Sequence, residues 1–201
     1  MKGVEQVISS VLLTAVLIAV VTSVTAVALP LLDKIRDAST IENSRAFMLN
    51  LESAIKDVAN HGGRVRMPIT IDADMLFDQA AQSVGLEFLS SGTIFDSETP
   101  IPLGRNDCGA TKGVWQDNSP MTLCVLSTCV DTGTECRKYS IAYTLEPLEL
   151  KIGGTLESRK IVLQSTSSQV GSKGSTIILE KTGDDTLGNE KKTLVSIVIE
   201  S

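Results

Sequence analysis

From Gln6 to Leu32 the chain runs for 27 residues without a formal charge, QVISSVLLTAVLIAVVTSVTAVALPLL. As an α-helix this run is about 40 Å long at ~1.5 Å per residue, longer than the ~30 Å hydrocarbon core of a bilayer. Such a surface has to be covered by lipid or by protein, and that requirement constrains everything downstream. Only Met1-Lys2-Gly3-Val4-Glu5 stands ahead of it, and the chain beyond it is polar, cysteine-bearing and strand-like.

Three readings of the run compete. Ala26-Val27-Ala28 has the small-x-small form of a signal-peptide cleavage site. However, the apolar core exceeds the roughly 7–15 residues of a secretory signal, and Glu5 stands where such a signal carries only positive charge. A plain single-pass anchor is the default for any run of this length. The third reading comes from composition. Twelve of the 27 residues are Val, Ile or Thr and three are Ser, unlike a generic Leu/Phe-rich anchor. Ala15, Ala19 and Ser23 recur every four residues, a small-xxx-small stripe that lets helix backbones approach closely. Small residues are common in membrane helices, so chance also accounts for the stripe. Glu5 is the sharper oddity, because a carboxylate beside an apolar helix is costly to submerge and needs a partner.

Lys2-Gly3, then Val4-Glu5-Gln6 and a long uncharged helix, resembles the class III signal of type IV pilin-like proteins, the archaeal pilins and archaellins in particular. The resemblance spans residues 1 to 60, and the remainder matches no family by eye. It implies that a prepilin-type peptidase cuts between Gly3 and Val4 and that the apolar helix stays on the mature chain. It further implies membrane residence before assembly, then bundling of these helices into a filament core with Glu5 as the acidic assembly residue. Glu5 would be the second mature residue, where the family usually places its acidic residue fifth, and the basic leader is a single lysine.

The full 201 residues suffice for an N-terminal helix and one further domain. A net charge of −6 argues against nucleic acid, which needs clustered Lys and Arg. With aromatics at 3%, stacking platforms for bases or sugars are not expected either. Cys108, Cys124, Cys129 and Cys136 lie close together, and an even count behind an apolar segment suggests disulfides in an oxidising space. A Cys₄ zinc site is the rival, but gaps of 15, 4 and 6 residues supply at most one zinc-type pair. Three connectivities remain open.

Pro30 predicts a kink in the helix, not a stop, because helical periodicity resumes after it. Ile41, Met48, Leu51, Ile55 and Val58 share one helix face, and His61-Gly62-Gly63 ends the element. The predicted organisation is a leader at 1–3, a helix at 4–62 and a β-rich extracellular head at 63–201. Within the helix, 4–32 is the apolar transmembrane or filament-core half and 33–62 the amphipathic half. In the head, residues 65–71 read as an edge strand because of Pro68, 72–84 as a short helical turn, and 86–95 as a hairpin. Residues 97–120 read as a loop that Trp115 anchors, and the cysteines staple this loop-rich middle. Strands come next at 139–145, 148–152, 160–164, 176–181 and 193–200, with a hairpin tip at 165–175 and a turn at 183–189. The expected fold class is α+β: a long N-terminal hydrophobic helix, then a mainly antiparallel β-sandwich-like head with disulfides.

Catalysis is not indicated. Asp131-Thr132-Gly133 matches the aspartic-protease triplet, but one copy between two cysteines reads better as a stapled turn. Asp184, Asp185, Asn189 and Glu190 could offer oxygens to calcium, yet a solvated hairpin turn is the stronger reading. Asp72 and Asp74 suit a turn or a helix N-terminus. His61 has no nucleophile near it in sequence and suits a helix end. No cofactor or metal is expected. The sequence thus points to a structural subunit of a type IV pilus-like surface filament, partnered by copies of itself, with no nucleic acid. The alternative is an anchored accessory or binding protein with an extracellular β domain.

Overall fold

A 60-residue helix, α1 (Lys2–His61), carries the chain into a head built of two β-sheets. This computed structural model describes residues 2–91, 97–103, 108, 121–131, 138–147, 149–152, 157–188 and 190–200. The expected hairpin segment at 92–96 and Trp115 lie outside them.

The second half of α1 docks on the head. Ile41, Ser44, Met48, Leu51, Ile55 and Val58, three or four apart, are all almost fully buried. Residues at that spacing share one side of a 3.6-residue turn, so one stripe seals against the sheets while Glu42, Glu52 and Lys56 stay out of the core. The helix continues through position 30 and stops where glycine permits a left-handed backbone. Gly62 (φ 76°) donates its amide to the Val58 carbonyl at 2.8 Å, and Gly63 (φ 93°) turns the chain into the first strand.

The expected long hydrophobic helix needs correction. Among the described residues no helix is long and apolar enough to cross a membrane. Residues 12–26 of α1 are uncharged and exposed. The same helix then runs on without a break through Lys34, Arg36, Asp37, Glu42 and Arg45. As one element it is part apolar and part amphipathic.

The strands are β1 (Arg64–Pro68), β2 (Asp74–Asp78), β3 (Ser83–Ser90), β4 (Ser97–Pro102), β5 (Met121–Cys129) and β6 (Tyr139–Pro147). They continue as β7 (Glu149–Ile152), β8 (Glu157–Gln164), β9 (Gln169–Gly171), β10 (Thr176–Leu187) and β11 (Glu190–Glu200). One sheet has the order β1-β10-β11-β8-β7 and the other β4-β5-β6-β3-β2-β9. Strand residues alternate as a half-buried sheet requires. Met75 and Phe77 of β2 are fully buried while Leu76 is 47% exposed. Ile141, Tyr143 and Leu145 of β6 share one core with Ile177, Leu179, Val195 and Ile197 of the other sheet, and the docked stripe of α1 joins it. The helix touches β10 and β11 of one sheet and β6 of the other. The head is therefore a sandwich completed by a helix, not two sheets alone.

Several local expectations also change. Residues 72–84 hold β2 and a turn instead of a helical turn, because Met75 and Phe77 follow period two. Asp78 builds that turn, its Oδ1 accepting the amides of Ala80 (2.8 Å) and Ala81 (3.2 Å). The expected 97–120 loop begins with β4, an edge strand of irregular register whose prolines cost little there. Residues 165–175 are no free hairpin tip. Their β9 leaves the first sheet and pairs with β2 of the second (Leu76↔Val170). The β10–β11 hairpin closes within the expected 183–189 turn, but its strands run on into that range as far as Leu187 and Glu190, with a register shift between Lys181 and Gly183. Finally, β11 lies parallel to β8 (Leu194↔Val162), because the chain passes through β9 and β10 before β11 enters between β10 and β8.

Candidate functional site

The feature that asks for a function is the part of α1 that the head leaves uncovered. Among the described side chains between Leu12 and Ile35, twelve large apolar ones are 54–65% exposed, including Leu17 (55%), Ile18 (65%), Val21 (57%) and Leu29 (60%). Six residues beyond Ile35, Ile41 is only 4% exposed. The boundary falls at two consecutive polar residues. The Asp37 carboxylate accepts the Ser91 amide at 2.8 Å and also the Ser91 hydroxyl, at the end of β3. The Arg36 guanidinium stands 3.9 Å from the Asp72 carboxylate, in the β1–β2 connection.

Around the uncovered helix, successive residues turn by about 100°. Ala15, Ala19, Thr22, Ser23 and Ala26 therefore fall within one sector roughly 100° wide, and Leu17, Ile18, Val20, Val21 and Val24 cover the rest. Ala15, Ala19 and Ser23 are all exposed. Over residues 15–26 the sector is low, with Leu12 closing its N-terminal end, and its Thr22 and Ser23 hydroxyls are already used. Ser23 Oγ donates to the Ala19 carbonyl at 2.7 Å, and Thr22 Oγ1 to the Ile18 carbonyl at 2.8 Å. Thr25 Oγ1 likewise donates to the Val21 carbonyl at 2.9 Å. A helix presented this way offers apolar contact without unpaired donors at those three positions, which suits close packing against another helix.

The remaining sequence-predicted residues are placed as follows. Gly3, Val4 and Glu5 belong to the helix, and their side chains lie outside the described part. Cys108 and Cys124 form a disulfide (Cα–Cα 5.9 Å) that pins residue 108 to β5. Cys129 is also disulfide-bonded, and Cys136 lies outside the described residues. His61 Nδ1 lies 2.8 Å from Asp57 Oδ1, both exposed. Of the Asp-Thr-Gly triplet only Asp131 is described, and it is exposed. Asp184 is engaged by Lys181 Nζ at 2.8 Å and by the Thr193 hydroxyl at 2.9 Å, the two bonds that hold its carboxyl below the usual range. Asn189 lies outside the described residues. Among the described residues no group of three or more His, Cys, Asp or Glu is arranged to hold a metal ion.

Sequence reasoning missed the Asp37–Ser91 and Arg36–Asp72 contacts. Both join residues far apart in the chain, and neither pattern nor spacing signals such a pair. No family model, curated protein or solved structure matches the chain.

Proposed function

We propose that this chain is a structural subunit of a type IV pilus-like cell-surface filament, assembled by packing the uncovered part of α1 against the same part of other copies. The observation that carries the reading is the surface of twelve large apolar side chains between Leu12 and Ile35. With each side chain more than half exposed, it amounts to on the order of 1,000 Å², against the ~300–600 Å² of the largest patch on a typical monomer. It also runs round the helix, so one neighbouring helix leaves much of it bare and several are needed.

The reading brings with it cleavage between Gly3 and Val4 by a prepilin-type peptidase, residence at the cytoplasmic membrane before assembly, and a role for Glu5 in registering one subunit on the next. Electron microscopy of sheared surface material, with intact-mass analysis of this chain in it, tests the cleavage and the assembly together. Fibres containing a chain that starts at Val4 are expected. A start at Leu29 would mean a conventional signal peptide and would remove the filament. A start at Met1 in fibre-free membranes would leave the anchored accessory protein.

A further inference from the structure

We infer that Arg36 and Asp37 form a polar fork that fixes how the head is carried on the uncovered part of α1, independently of what covers that part. Neighbouring residues on a helix point about 100° apart, so the two side chains leave the helix in different directions. They also meet different parts of the head. Asp37 takes both the amide and the hydroxyl of Ser91 at the end of β3, and Arg36 faces Asp72 between β1 and β2. A single contact would restrain bending of α1 ahead of its buried stripe in one direction only. Two contacts on different segments restrain it in two.

The position of the fork is what gives it this role. N-terminal to it lie the twelve large apolar side chains that are more than half exposed, and C-terminal to it the apolar seal begins at Ile41. Beneath the fork the helix is held by burial. At the fork it is held by directional bonds, and a carboxylate accepting two donors holds a narrower geometry than an apolar contact does. The Arg36–Asp72 pair is exposed and long at 3.9 Å, so it guides the helix more than it binds it, and Asp37–Ser91 is the stronger arm.

The test uses the full chain in detergent micelles, spin-labelled at Leu29→Cys on the helix and Val170→Cys on β9. These are exposed positions, and there is no free cysteine among the described residues to compete for label. The labelled protein with an intact fork gives a narrow distance distribution. Arg36→Ala with Asp37→Ala broadens it and lowers amide-exchange protection over residues 34–40 by about tenfold, with the melting of the head unchanged. Ser91→Ala, which keeps the amide donor, gives an intermediate width, and it is the variant to read if the double replacement does not fold. An unchanged distribution in these variants overturns the inference. So does broadening that appears only together with melting of the head, because the two residues would then be ordinary stabilising contacts.

Discussion

The hydroxyl of Tyr143, in the middle of β6, donates a hydrogen bond to the main-chain carbonyl of Ile41 at 3.1 Å, joining residues 102 apart. Tyr143 is 1% exposed, and its ring stacks on Phe88 with centroids 6.3 Å apart. The bond lies where the docked half of the helix begins, so it ties the helix to the head at the first buried turn.

Tyr143→Phe keeps the ring and removes the bond, so the expected loss is about 0.5–1.5 kcal/mol by denaturant titration. The pH dependence is more specific. Burial pushes the Tyr143 phenol up from 10.0 to about 12, and the nearby Arg45 charge offsets only part of that. Because the unfolded chain releases this proton first, the phenol's contribution to stability is flat below pH 10 and falls between pH 10 and about 12. In Tyr143→Phe that particular fall is absent. A variant whose alkaline loss matches the parent's would show that the phenol is not the group responsible.

Ser44 sits in the same seam, fully buried, and its Oγ has no hydrogen-bond partner among the described residues. Ser44→Ala removes a desolvated hydroxyl and inserts a better helix former, so a gain of roughly 1 kcal/mol is expected. Calorimetry reads this directly as a higher melting temperature. A lower one would mean that the hydroxyl is satisfied in solution.

A third expectation concerns Gly171, the last residue of β9. A Cβ built there would stand 2.5 Å from Ile199 Cγ2 and 3.3 Å from Ile69 Cδ1. The methyl on a branched carbon cannot swing aside as the end of a long chain would, so Gly171→Ala has to shift β9 or β11. The expected cost is about 1–3 kcal/mol. The same displacement strains the bond from the Ile199 amide to the Gln169 side chain, which links the two sheets. Faster amide exchange at Ile199 is the local readout.

How much of this was legible in the sequence depended on whether a feature repeats locally. Ile41, Met48, Leu51, Ile55 and Val58 were readable as one face because each reports the same 3.6-residue period. Ser44 belongs to that face but is polar, so pattern reading passed over it. The strands from Tyr139 onward were readable through their alternation and glycine-bearing turns. Residues 121–129 were not, because β5 is buried from Met121 to Val125 without alternation. β9 failed for another reason. Three residues carry no period, and its partner β2 lies more than ninety positions earlier. The parallel pairing of β11 with β8 and the fork at Arg36–Asp37 are likewise long-range facts that no local pattern encodes.

The disulfide between Cys108 and Cys124 closes a loop across a sequence separation of 16. Cross-linking a loop near that size stabilises by about 3 kcal/mol, chiefly by restricting the unfolded chain. Cys108→Ser with Cys124→Ser should lower the denaturant midpoint accordingly, while β5, paired between β4 and β6, keeps its place. Thiol labelling of the unfolded, unreduced parent gives the complementary test. Label on either of these two cysteines would contradict the bond.

The assembly proposal yields the most selective prediction. Ala19 lies at the centre of the low sector that also carries Ala15, Thr22, Ser23 and Ala26. It is exposed, so within a single chain a larger side chain there meets only solvent. Ala19→Leu should leave head stability and chain levels unchanged. It also leaves the Ser23 hydroxyl bonded, because that bond goes to the Ala19 main chain. Between chains the effect differs. Helices that approach through small residues would be held apart by the added atoms, and overpacking of that kind typically costs ~1–3 kcal/mol per contact. Repeated along a filament, such a cost should make fibres scarce by electron microscopy. Val21→Leu is the control, since it adds volume on the opposite, already bulky side of the helix, where fibre yield should hold. If Ala19→Leu assembles as well as Val21→Leu, the low sector is not where copies meet, and the filament proposal would need a different packing face.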